Sequence, residues 1–257
     1  DVCSSDLKIL MGVARKSRII NDEEKLKTAR HEAGHALLHY YLKYADPLHK
    51  VTVIPRGRAL GVAFSLPEQD SYSKGSGYLT DRIKIAYGGY IAERMFYNET
   101  TTGVQNDLKQ ATEMARRMVT EWGMSNLGPV SFGQEDEPIF IGKEIASHKD
   151  YSESTAQSID AEIRRILEES FREAEEILGD HKDQLEALAR ALVEKETLSD
   201  REIRDMFGFP QRKQLDMTDE LVPGDADPAS DAASEDTEPD PDTEGSDSDP
   251  VDPDSTG

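Results

Sequence analysis

The chain has 257 residues, enough for one or two domains, and carries 52 Asp and Glu against 30 Lys and Arg, a formal net charge of −22. So acidic a polypeptide is not built to follow a nucleic-acid backbone. Its single cysteine, Cys3, excludes a disulfide framework and fits a reducing compartment, and no run of 18 or more apolar residues is present to span a membrane.

In chain order, Asn21 and Asp22 offer an N-cap ahead of Glu23 and Glu24, the first turn of a helix predicted over about 22–44. Inside it, Thr28-Ala29-Arg30-His31-Glu32-Ala33-Gly34-His35-Ala36-Leu37 contains the H-E-x-x-H pattern. Residues four apart share one helix face, about 6 Å apart along the axis. His31 and His35 can therefore aim nitrogen lone pairs at a single ion. Glu32 sits one position around, placed to take a proton from water there but not to join both rings as a ligand. Gly34 in mid-helix costs about 1 kcal/mol against Ala, which implies a closely packed neighbour. His39 continues the stripe but lies about 12 Å along the axis from His31, too far to share its ion, and reads as an ordinary polar contact.

Residues 50–55 and 61–66 read as short strands, with Arg56-Gly57 as turn chemistry between them. A second helix is predicted over about 80–97 and a third over about 104–122. The third has apolar positions Val104, Leu108, Ala111, Met114, Ala115, Met118 and Val119. A zinc site needs a third protein ligand, with a fourth position left to water. Two carboxylates compete for that role. Asp107 lies in the first turn of the third helix, where the helix dipole favours it even without metal. Glu93, in Gly88-Gly89-Tyr90-Ile91-Ala92-Glu93, could ligate or could orient a histidine ring from behind.

Residues 128–143 read as loop with short extended pieces. A long helix follows over about 153–178, its Ile159, Ile163, Ile166 and Leu167 forming a core stripe, with an interruption at Gly179-Asp180. Another helix runs to about Glu196, and a short one starts after Ser199. His49, His148 and His181 stand in polar contexts and read as surface residues. From Asp216 onward there are sixteen Asp or Glu and no Lys or Arg. Such a segment cannot bury enough apolar surface to offset the entropy of ordering it, so 214–257 is expected to be an acidic disordered tail, a spacer rather than a docking element.

Beyond the zinc pattern, the sequence resembles the peptidase domain of the FtsH family of ATP-dependent zinc metalloproteases. The resemblance runs from about Leu7 to about Phe209. It rests on His31-Glu32-Ala33-Gly34-His35, on Lys50-Val51-Thr52-Val53-Ile54-Pro55-Arg56-Gly57, on Ala59-Leu60-Gly61, and on Leu66-Pro67-Glu68 with Asp70. It continues through Gly88-Gly89 with Ala92-Glu93, Thr101-Thr102-Gly103 with Asn106-Asp107-Leu108, Ala111-Thr112 and Met118-Val119-Thr120. Gly123-Met124-Ser125, Leu127-Gly128, Tyr151-Ser152 and Glu196-Thr197-Leu198 complete it. Tyr90 and Ile91 depart from the family's usual Arg and Ala, and Val104 and Gln105 from its usual small residues; these bear on packing or subunit contact rather than on chemistry.

The resemblance implies a mainly α fold with a small β element, a helical zinc metallopeptidase domain over 8–213 whose helical C-terminal part covers about 153–209. It implies His31, His35 and Asp107 as ligands of one zinc ion per chain and Glu32 as general base, and it leaves Glu93 behind a histidine ring. It also implies unfolded polypeptide substrates and a membrane-anchored homohexamer; for the intact protein the cytoplasmic side of a bacterial inner membrane is expected over an organelle membrane, on abundance alone. Family members carry membrane spans and an ATPase module ahead of the peptidase. No G-x-x-x-x-G-K-[ST] occurs here, so ATP and the membrane are expected to act only through parts missing from this chain, and the piece itself is expected to be soluble. Lys8-Ile9-Leu10-Met11-Gly12 resembles the run joining ATPase to peptidase, whereas residues 1–7 resemble nothing in the family and read as a non-native segment. The alternative from another functional class is a non-catalytic hexamerisation module with a vestigial metal site.

Overall fold

The computed structural model describes residues 21–55, 61–65, 73–132 and 151–211. Segment 1–7, the Lys8–Gly12 run, the Arg56-Gly57 turn, the loop beyond Phe132, His148 and the acidic tail 214–257 lie outside the described residues. Helix α1 (Asp22–Tyr41) starts as its cap requires, with the Asn21 side chain accepting from the Glu23 amide at 3.1 Å. It ends three residues before the expected boundary. Leu42 is extended, the Tyr44 amide donates to Asp81 at 2.9 Å, and Pro47 follows to bar a helical continuation.

Among the described residues three short strands form one antiparallel sheet in the order β2-β1-β3: β1 (Leu48–Thr52), β2 (Val62–Ser65) and β3 (Thr197–Ser199). Val51 pairs with Ala63 on one side and Leu198 on the other. The strand β3 was read as a junction between helices. It forms because Glu196 turns the chain at φ 64° and hands its carbonyl to the Thr52 hydroxyl at 2.9 Å, drawing Thr197–Ser199 alongside β1. Three residues are too few to show an alternation. Among the described residues β2 occupies an edge of the sheet.

Helix α2 (Ser76–Tyr97) begins earlier than the Thr80-Asp81 pair suggests. Those polar residues are not its cap: Thr80 bonds back to the Ser76 carbonyl at 2.9 Å, and buried Asp81 takes the Tyr44 amide and Lys84. After a 3₁₀ turn (Thr102–Val104) come α3 (Gln105–Thr120), α4 (Glu153–Asp180), α5 (Lys182–Lys195) and α6 (Asp200–Phe207). α4 runs through Gly179 and breaks at His181, two residues later than expected. The His181 ring stacks on Tyr41 at 3.8 Å between centroids, and His49 meets Phe64 edge-on, so neither is simply solvated.

The architecture is mainly helical with this small sheet. α1 is the central element, packed on α2, α5 and the sheet. Its crossing with α2 is a glycine contact, as the cost of Gly34 in mid-helix implies. A Cβ at Gly34 would stand 2.3 Å from the Gly88 carbonyl oxygen, and one at Gly88 would stand 2.7 Å from the Gly34 backbone. The two backbones touch. The core continues through Ile159, Ile163 and Ile166 of α4 and fully buried Leu185, Leu188 and Leu192 of α5, each such side chain contributing roughly 1.5–3 kcal/mol on burial.

Candidate metal centre

α1 presents His31 and His35 on the face turned toward α2 and α3. Their Nε2 atoms lie 3.1 Å apart, with the rings edge-on. Asp107, in the first turn of α3, places Oδ2 at 3.3 Å from Nε2 of His31 and 3.5 Å from Nε2 of His35. These three donor atoms lie within 4.8 Å of one another and are the one metal-competent group of three or more among the described residues.

The far side of each ring is held. His31 Nδ1 lies 2.9 Å from Glu93 Oε1, and His35 Nδ1 lies 2.6 Å from the Ile85 carbonyl oxygen. Because a carboxylate and a carbonyl only accept, both Nδ1 atoms carry the hydrogen, which leaves the Nε2 lone pairs facing inward. Two nitrogen lone pairs and a carboxylate then meet with no donor among them. That arrangement demands a proton or a cation at its centre. Two imidazoles and one carboxylate, each imidazole anchored from behind, match the ligand chemistry of zinc.

The electrostatics agree. Burial by itself would lower the His31 pKa, but hydrogen bonds to Asp107 and Glu93 overcome it and push it up to about 10. Burial would likewise raise Asp107, yet the two histidines hold it well below the usual carboxylate range. The cluster grips positive charge in whatever form it is offered.

Glu93, 3 % exposed, does more than face His31. Its Oε2 accepts the Thr101 amide at 2.6 Å and its Oε1 the Thr101 hydroxyl at 3.1 Å. Thr101 caps the 3₁₀ turn that leads into α3 and Asp107. One carboxylate therefore orients a ring on α1 and anchors the approach to α3. Glu32 is buried at 6 % exposure in the same cleft, and burial raises its pKa against the pull of both histidines and a hydrogen bond from the Ala63 amide.

His39 lies apart, as the axial distance requires: its Nδ1 donates to the Asp46 carbonyl at 2.7 Å, and burial pushes it down to about 4, so the ring is neutral. The cleft has a volume of about 1170 Å³ and is walled by α1, α2, α3 and the Gly61–Ser65 segment. The Ile85 carbonyl escaped the sequence reading, since a backbone oxygen has no signature in residue type, and Thr101 was quoted only within a run, with no contact to Glu93 assigned to it. Gly89 had a signal the sequence reading did not use: a glycine pair inside a predicted helix costs stability, and a Cβ at Gly89 would lie 2.3 Å from the His31 ring.

The model of peptidase family M41 matches residues 18–206. The ATP-dependent zinc metalloprotease FtsH of Borreliella burgdorferi is 59% identical over 207 residues, covering 80% of this chain and 32% of that protein. The protein of the same name from Acidobacterium capsulatum is 50% identical over 204 residues, 79% of this chain and 32% of its own length. That from Nitrosococcus oceani is 47% identical over 201 residues, 78% and 31%. The chain thus spans about a third of the length of these relatives. Among the described residues no helix is long and apolar enough to cross a membrane.

Proposed function

Because this chain belongs to peptidase family M41, we propose that residues 8–213 are the zinc endopeptidase domain of an ATP-dependent protease that degrades unfolded or misassembled proteins. The observation that carries the reading is the meeting of His31, His35 and Asp107 beside the buried carboxylate of Glu32. His31, His35 and Asp107 would hold the zinc ion, one per chain. When bound, zinc supplies Lewis acidity, which acidifies a water and polarises a peptide carbonyl.

The chain's own residues do the rest. Glu93 and the Ile85 carbonyl keep the two imidazoles turned with Nε2 inward. Glu32 accepts a proton from the attacking water at its carboxylate and returns it to the nitrogen of the departing amine. Burial raises its pKa above that of a solvated glutamate, against the pull of the two histidines. The edge strand β2 borders the cleft, and an extended substrate can pair with it as an added strand. Such pairing reads main chain rather than side chains, which suits a degrader of unfolded polypeptide.

The intact protein, on this reading, is a homohexamer anchored on the cytoplasmic side of a bacterial inner membrane, with an ATPase module that unfolds substrates and feeds them to this domain. This chain by itself cleaves flexible peptides and casein without stimulation by ATP. The test is casein cleavage with zinc content measured, comparing wild type with Glu32→Gln. Retained zinc with lost cleavage is expected. Cleavage unchanged by the substitution removes Glu32 as base, and a wild-type chain that neither holds zinc nor cleaves leaves only a non-catalytic assembly module.

A further inference from the structure

Gly61 immediately precedes β2, and its backbone does not require a glycine. The described glycines with positive φ are Gly123, Gly128 and Gly208, and Gly61 is not among them. Space is what excludes a side chain. A Cβ at Gly61 would stand 2.6 Å from Glu32 Cγ, 2.7 Å from its Oε1 and 2.9 Å from its Cδ. All three atoms belong to one carboxylate arm, and no other group is as near. Two positions further along, the Ala63 amide donates to that same carboxylate. The segment therefore offers Glu32 a gap at 61 and a donor at 63.

We propose that Gly61 is a positioning residue for Glu32: the absent side chain lets β2 close onto the carboxylate and seat it in the cleft. The proposal rests on the reading of Glu32 as general base. β2 is pinned by its pairing of Val62 with Thr52 and Ala63 with Val51, and α1 is pinned by its glycine contact with α2. The carboxylate is the part free to move. One strand then sets both the register of a substrate added at its outer edge and the place of the group that takes the proton. A glycine beside a strand commonly marks such a close approach.

The test uses the full chain loaded with zinc. Gly61→Ala is expected to lower kcat for peptide cleavage about 10–100-fold, the cost of a reacting group displaced by about 1 Å. KM stays within about twofold and zinc stoichiometry is unchanged, because no metal-facing donor is touched. Glu32→Asp shortens the arm and makes room, so adding Gly61→Ala to it costs no more than about twofold. A crystal structure of Gly61→Ala, which needs no turnover, should show the carboxylate displaced with His31, His35 and Asp107 in place. Wild-type kcat in Gly61→Ala, an equal loss on the Glu32→Asp background, or an unmoved carboxylate would each overturn the proposal. If Glu32→Gln cleaves as fast as wild type, it is the assignment of the base that fails, and the carboxylate position in Gly61→Ala still decides the seating.

Discussion

The cleft, walled by α1, α2, α3 and the Gly61–Ser65 segment, and the α4–α5 layer are built by opposite rules. In the α4–α5 layer apolar side chains enter one core: Ile159, Ile163 and Ile166 are buried on α4, which packs on α2 and α3, and Leu185, Leu188 and Leu192 on α5, which packs on α1. In the cleft polar acceptors meet one another. His31, His35 and Asp107 converge on one point with Glu32 and Glu93 buried beside them, and the two Nε2 lone pairs and the Asp107 carboxylate face one another with no donor among them. The first region lowers the free energy of the fold; the second is stable only because the first, together with the α1–α2 contact at Gly34 and Gly88, holds it in place. Function here is the part of the structure that packing alone would not choose.

That contrast predicts that the two regions can be damaged separately. Asp107→Ala should bring the largest loss of function: zinc stoichiometry falls well below one per chain. Cleavage drops by more than about 100-fold, since even the groups behind metal ligands are worth about 10–100-fold. Thermal unfolding of the metal-free chain should shift little by comparison. Leu188→Ala, at a fully buried position, should do the reverse and cost about 2–5 kcal/mol in chemical denaturation. Its folded fraction should bind zinc as wild type does. Equal losses in both assays for either variant would break the distinction.

The smallest effect sharpens it. Ser170 lies on the buried stripe of α4 at 1 % exposure, and its hydroxyl has no hydrogen-bond partner among the described residues. In a layer governed by apolar packing it is the one buried side-chain polar atom without a partner among the described residues. Ser170→Ala should raise stability by about 1 kcal/mol, seen as a higher denaturation midpoint, with cleavage unchanged. A destabilised Ser170→Ala chain would mean that the layer is not purely apolar.

Much of this was legible in the residues, and the exceptions share a cause. The stripe of α4 and the cap of α1 are local patterns, and both appear as read. α2 starts at Ser76, four residues before the expected 80, and Asp81 is spent on Tyr44 and Lys84, groups that only the folded chain brings to it. β3 was missed because three residues carry no periodicity and the strand exists only against β1. Glu93 competed in the sequence with Asp107 as ligand or as the group behind a ring; its Oε1 lies 2.9 Å from His31 Nδ1, and its grip on Thr101 has no local signal.

The spacing His31-Glu32-x-x-His35 was sufficient to place two imidazoles on one helix face, because helical geometry is set over four residues by the backbone itself. Nothing local could settle which carboxylate faces them. Asp107 and Glu93 arrive on separate helices, brought in by the glycine crossing of α1 with α2 and by the turn that Thr101 closes. Composition and periodicity follow from short-range sterics and solvation, whereas the meeting of distant donors depends on how close two backbones can approach, which only the assembled structure decides.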